Sequence, residues 1–141
     1  MHVRKITNGY LVRFDHGEEI LAGLERFARA NDVRGAEVRA IGSITDPELG
    51  YYDLAHKVYE WRVVNGNFEI LSLLGNVTWF QDGPIAHLHA MIGARDLSVQ
   101  GGHLKSGKAG ATCECVIRTF DEAIDRSFDA DTGLNLWTLE T

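Results

Sequence analysis

The sequence predicts an α+β fold: a mainly antiparallel central sheet flanked by one long helix, with room for a second, short helix near Asp121–Phe128. Two observations predict it. One stretch repeats its apolar residues at helical spacing, and most of the remaining apolar residues fall in short sequential runs rich in β-branched and aromatic side chains. A chain of 141 residues suits one domain, spanning 1–141, with enough mass to bury a core without disulfide staples.

In chain order, the helix comes first. Asp15 precedes Gly17-Glu18-Glu19, with Glu18 three residues on, in the manner of a capping box. Ile20, Leu21, Leu24, Phe27 and Ala28 then form one apolar stripe, and Asn31-Asp32 ends it. Val38, Ala40 and Ile41 lead a strand into Gly42-Ser43-Ile44. Val58–Val63 alternates clearly and is followed by Asn65-Gly66, a strong short-hairpin signal, and then by the Phe68–Leu74 strand. Gly75-Asn76 separates that run from Val77–Phe80, and Asp82-Gly83-Pro84 breaks the chain. Strands are expected at Ile85–Ile92, Leu97–Leu104 and Thr112–Phe120, with a last short one at Leu134–Leu139.

Composition excludes several functional classes. The chain is 45% apolar and 24% charged, ordinary for a globular protein. Fourteen basic against twenty acidic residues leave a net charge of −6, the wrong sign for a surface that tracks phosphates. No apolar run approaches the length of a membrane span. The opening MHVRKITNGY has no apolar stretch behind its charges, so it is not a signal peptide. Two cysteines are too few for a disulfide framework, and a cytoplasmic protein is expected. Glycine-rich dinucleotide fingerprints, phosphate-binding loops and nucleophile elbows are missing from the sequence.

The segment that carries chemistry is Gly83-Pro-Ile-Ala-His87-Leu-His89-Ala, followed by Gly101-Gly102-His103-Leu. In a strand, residues i and i+2 share a face, so His87 and His89 point the same way, roughly 6.5–7 Å apart. With the turn at Gly93–Asp96 centred on Arg95, His103 falls opposite His87 and diagonal to His89. Opposed Cβ atoms are about 4.5–5.5 Å apart, so the three imidazoles would meet. A two-residue loop at Ala94-Arg95 would instead set His103 against Ala86 and on the other face, unless a bulge at Gly101-Gly102 restored the geometry. Three imidazoles suit zinc first, with iron, nickel, cobalt or copper as alternatives, and leave a coordination position open for water or a small anion.

Other candidates are weaker. Cys113 and Cys115 share a strand face and fit small buried apolar positions better than a soft-metal site. Tyr51-Tyr52-Asp53 could line a pocket, or divide between the core and a subunit contact. Glu37, Glu69 and Glu114 lie in strand patterns, and none is assigned as a general base. His2, His16 and His56 are expected at the surface.

The string Gly83-Pro84…His87-x-His89-Ala90…Gly93-x-x-Asp96…Gly101-Gly102-His103-Leu104…Gly107 resembles the plants-and-prokaryotes-conserved (PPC) domain family. Glu18–Leu21, Gly42–Ile44, Leu49–Asp53, Phe68–Leu73, Gly75-Asn76 and Thr112-x-Glu114 agree with it, so the likeness runs over about residues 3–120. It resembles the prokaryotic type without an AT-hook. The resemblance implies a compact domain assembling as a homotrimer, a metal commonly taken as zinc at His87, His89 and His103, and a regulatory or DNA-associated role in which the domain contacts other proteins. The Arg-Gly-Arg-Pro segment that enters the minor groove in plant members does not occur in this sequence, so direct DNA binding lacks both motif and electrostatics. Leu97 stands where the family has glycine after the turn Asp. The rival expectation is a metal-dependent hydrolase or lyase that uses a metal-bound water at the same three histidines.

Overall fold

The computed structural model describes residues 1–140. Nine strands and one helix run in the order β1 (His2–Ile6), β2 (Gly9–Asp15), α1 (Ile20–Ala30), β3 (Ala36–Asp53), β4 (Val58–Val63), β5 (Asn67–Phe80), β6 (Gly83–Gly93), β7 (Val99–Thr119), β8 (Arg126–Asp129) and β9 (Leu134–Trp137). The first seven strands form one antiparallel sheet in the order β1-β2-β7-β6-β5-β3-β4, and β7 also pairs with β3. The pairs β3–β5, β5–β6, β6–β7 and β7–β3 therefore close a ring. Helix α1 packs against β6 and β7.

The fold is mostly β, and its helix is shorter than expected, at 11 residues. The predicted apolar stripe is the buried face: Ile20, Leu24, Phe27 and Ala28 are all within 2% of full burial. Each large side chain among them contributes roughly 1.5–3 kcal/mol. The capping box is there in part. The Asp15 N–H donates to Glu18 Oε2 at 2.8 Å, but it closes a turn ahead of the helix. Gly17 in that turn has a φ of +82°, and Glu19 takes the N-cap position without a side-chain cap. Asn31 ends the helix as expected, its Nδ2 donating to the Phe27 carbonyl at 2.9 Å.

Three other expectations change. Asn65-Gly66 is not a hairpin turn. Strands β4 and β5 both pair with the long β3, Val63 opposite Glu48 and Asn67 opposite Thr45, so they lie end to end along it. Gly66 faces the kink in β3: its carbonyl accepts from Asp46 N–H at 2.9 Å and its N–H donates to Asp46 Oδ1 at 2.6 Å. The interruption falls beside Pro47, which has no N–H for the ladder. The real turn of this hairpin is Leu54–Lys57, where Asp53 Oδ1 accepts from the Ala55 and His56 N–H groups.

The segment 121–128 is not helical. It docks through backbone bonds to β5 and to the segment before β3, Trp79 N–H to Ile124 O and Ile124 N–H to Arg34 O, and then enters β8. A helix this short has little to offset its nucleation cost. Residues 1–15, given no element above, form the β1–β2 hairpin through Thr7-Asn8, with Asn8 at a φ of +59°. Among the described residues no helix is long and apolar enough to cross a membrane.

Candidate metal centre

Strand β6 alternates strictly. Ala86, Leu88, Ala90 and Ile92 are buried in the core, which turns His87 and His89 to the outer face. On β7, Leu104 is buried and His103 faces out beside them. The register differs from the expected one: His103 lies opposite His89, and His87 is the diagonal neighbour. The pairs run uninterrupted from His89–His103 to Gly93–Val99, leaving a five-residue loop, Ala94–Ser98, centred on Asp96. Moving the centre by one residue moves each partner by two, so the face is preserved and no bulge at Gly101-Gly102 is needed. Leu97 takes the loop's left-handed position at a φ of +66°. Its N–H donates to the Ala94 carbonyl, and Asp96 Oδ1 accepts from the Ser98 N–H and hydroxyl at 3.0 and 2.6 Å.

One ring nitrogen from each of His87, His89 and His103 lies within 4.8 Å of the others. The surrounding side chains come from three further strands. Tyr59 and Trp61 on β4 stack at 4.5 Å between centroids, and both rings approach His103, at 5.0 and 5.8 Å. They reach it across Gly50 on β3, where a Cβ would collide with the Trp61 ring. Arg126 on β8 donates from Nε to Thr78 Oγ1 at 2.7 Å and from Nη2 to Asn76 Oδ1 at 2.9 Å; the same Nη2 stands 3.5 Å from His87 Nδ1. Nothing in the spacing of the sequence pointed to Arg126. Tyr59 and Trp61 did carry a signal, since they alternate on one face of Val58–Val63.

The electrostatics favour uncharged imidazoles. Burial, then the Arg126 guanidinium, then His89 push the His87 pKa down to about 4. His103 is also pushed down to about 4, by burial, His87, His89 and Arg126 in that order. Burial raises the Tyr59 hydroxyl above its ordinary value, which keeps it protonated. His103 Nδ1 is buried with no hydrogen-bond partner, a vacancy that buried polar groups rarely tolerate. Three imidazoles, those of His87 and His103 held neutral, and an unsatisfied ring nitrogen fit a late first-row divalent ion well.

The other candidates lie elsewhere. Cys113 and Cys115 are core residues, 0% and 2% exposed, and the Cys115 thiol is pushed well up by its hydrogen bond to Cys113 and by burial. That opposes the thiolate a soft metal needs. Glu37 is paired with Arg39 at 2.6 Å, Glu114 stands opposite Arg13, and Glu69 is exposed on β5 opposite Gly93. Tyr51 is exposed, Tyr52 donates its hydroxyl to the Thr132 carbonyl, and Asp53 organises the turn that holds His56. His2, His16 and His56 are at the surface.

Comparison with known proteins bears on the same residues. The model of the Plants and Prokaryotes Conserved (PCC) domain matches residues 1–121. A plant- and prokaryote-conserved protein of Pyrococcus horikoshii is 29% identical, with a TM-score of 0.88 over 99% of this chain and 95% of its own. A candidate DNA-binding protein of Bacteroides thetaiotaomicron is 28% identical, with a TM-score of 0.93 over 97% of this chain and 96% of its own. A metal-containing protein of Archaeoglobus fulgidus is 36% identical, with a TM-score of 0.86 over 98% and 96% of the two chains. The curated proteins contain no match. With its fold, its histidine-bearing strands and most of its length matched, the chain belongs to the plants and prokaryotes conserved domain family.

Proposed function

We propose that this protein is a cytoplasmic, single-domain, homotrimeric metal-binding module that holds one transition metal, zinc first, on His87, His89 and His103. The observation that carries it is the convergence of three ring nitrogens within 4.8 Å on one sheet face. Both half-buried imidazoles are neutral at physiological pH, so a metal there does not compete with protons. Three protein ligands leave a position for a further ligand, the arrangement of an open rather than a closed site.

The hydrolase or lyase reading needs, besides a metal-bound water, a side chain that relays its proton; Tyr59 and Arg126 beside the cluster both hold theirs, which favours a binding module. The family likeness gives the role as regulatory or DNA-associated, and a net charge of −6 opposes direct contact with nucleic acid, so that role works through other proteins. Self-association is supported by an exposed apolar patch of Val3, Leu11, Ile41 and Val116 around a depression of about 570 Å³ on β1, β2, β3 and β7.

Metal analysis of protein purified without chelators or a metal-binding tag should find close to one transition metal per chain. A His87→Ala/His89→Ala/His103→Ala variant should lose it. A wild-type protein that carries no metal and gains no thermal stability on adding zinc would overturn the reading, because a site formed only in the native state must stabilise it by mass action.

A further inference from the structure

The family match ends at residue 121, and Arg126 lies beyond it, on the β8–β9 hairpin. That hairpin folds back so that the guanidinium stands beside His87. Three of its five N–H groups are committed, to Thr78 Oγ1, Asn76 Oδ1 and the Asn135 carbonyl at 2.8 Å. These three partners are neutral oxygens, and a fourth N–H, the second on Nη2, faces the His87 ring at 3.5 Å from Nδ1. Among the described residues no carboxylate lies within ion-pair distance of Arg126, and the histidine cluster contains no acid. A half-buried guanidinium held rigidly without a counter-charge is costly. A divalent ion on the three imidazoles next to it would add two further positive charges, with no protein anion among the described residues within ion-pair distance to balance them.

We propose that Arg126 and the metal together form a receptor for a small oxyanion, a carboxylate or a phosphate group. One anion oxygen would take the metal's open position, and another would accept from the guanidinium edge that is left, the second N–H on Nη1 and the Nη2 N–H that otherwise faces His87, a planar donor set that suits both chemistries. The three neutral hydrogen bonds fix the guanidinium plane before the ligand arrives, so little side-chain freedom is lost on binding. The aromatic pair Tyr59–Trp61, on the His103 side of the cluster, offers a flat wall to the rest of the molecule. This assignment rests on the metal reading above.

The test uses full-length protein loaded with cobalt(II), whose visible bands report the fourth ligand. Acetate, benzoate and phosphate are titrated separately at constant ionic strength, with chloride as control. Wild type should give a saturable spectral change with at least one oxyanion, and the probe that saturates lowest separates carboxylate from phosphate recognition. Arg126→Gln should weaken that binding at least tenfold while cobalt content stays near one per chain, and Arg126→Lys should fall between. If the Gln variant fails to hold its hairpin, seen as a lower unfolding midpoint, the Lys variant carries the comparison. Equal affinity in the variants, or no oxyanion response in cobalt-loaded wild type, overturns this proposal and leaves the metal site standing. Failure to take up cobalt overturns both.

Discussion

At the scale of single residues, the histidine triad was legible because the strand period is two, which puts His87 and His89 on one face from spacing alone. The partner of His103 was not legible, since it depends on how many residues the loop consumes. The loop takes five, and Leu97 within it adopts a left-handed φ of +66° although a bulky side chain disfavours it. The low pKa values make a pH prediction with a definite sign. His87 and His103 sit near 4 when folded, against 6.5 in an unfolded chain, so below 6.5 the unfolded state binds more protons. The stability they support is fully present above about pH 6.5 and is lost as pH falls from there towards 4. Metal-free protein should show a urea midpoint that drops through this window, and a His87→Asn/His103→Asn variant should show a flatter profile. An unchanged slope in that variant would mean other groups govern acid sensitivity.

At the scale of elements, strand spans were easier to place than strand partners. Val58–Val63 and the core of β6 lie where their alternation puts them. Two Asn-Gly pairs show the limit of local signals. Asn8-Gly9 borders a real two-residue hairpin loop, between β1 and β2, whereas Asn65-Gly66 only bridges a kink in β3. The difference lies in Asp46-Pro47, twenty residues away, so no short window around Asn65 contains it. The end-to-end arrangement of β4 and β5 has a testable cost. It places Trp61 over Gly50, with no room for a Cβ between them. Gly50→Ala should therefore destabilise the protein by about 1–3 kcal/mol, the usual range for overpacking. It should also shift tryptophan emission as the Trp61 ring lifts away from His103. Denaturant unfolding and steady-state fluorescence measure the two effects, and a silent substitution would show that the ring is not clamped.

At the scale of the whole molecule, the apolar patch around Ile41 decides between a free face and an interface. Ile41 is 62% exposed in the single chain, where replacing it by Glu should change stability by no more than about 0.5 kcal/mol. In a trimer that buries this face, Ile41→Glu should convert the assembly to monomers, as light scattering over a range of concentrations would reveal. Wild type and variant sharing one mass would remove this face from the interface. The placement of the histidines has a wider consequence. They stand on the side of β6 and β7 turned away from Leu88, Ala90 and Leu104, which pack the interior without them. Folding and the proposed ligation thus draw on alternate residues of the same two strands. The three donors can therefore be exchanged while every core contact stays in place, so the fold can be inherited independently of any chemistry on its outer face.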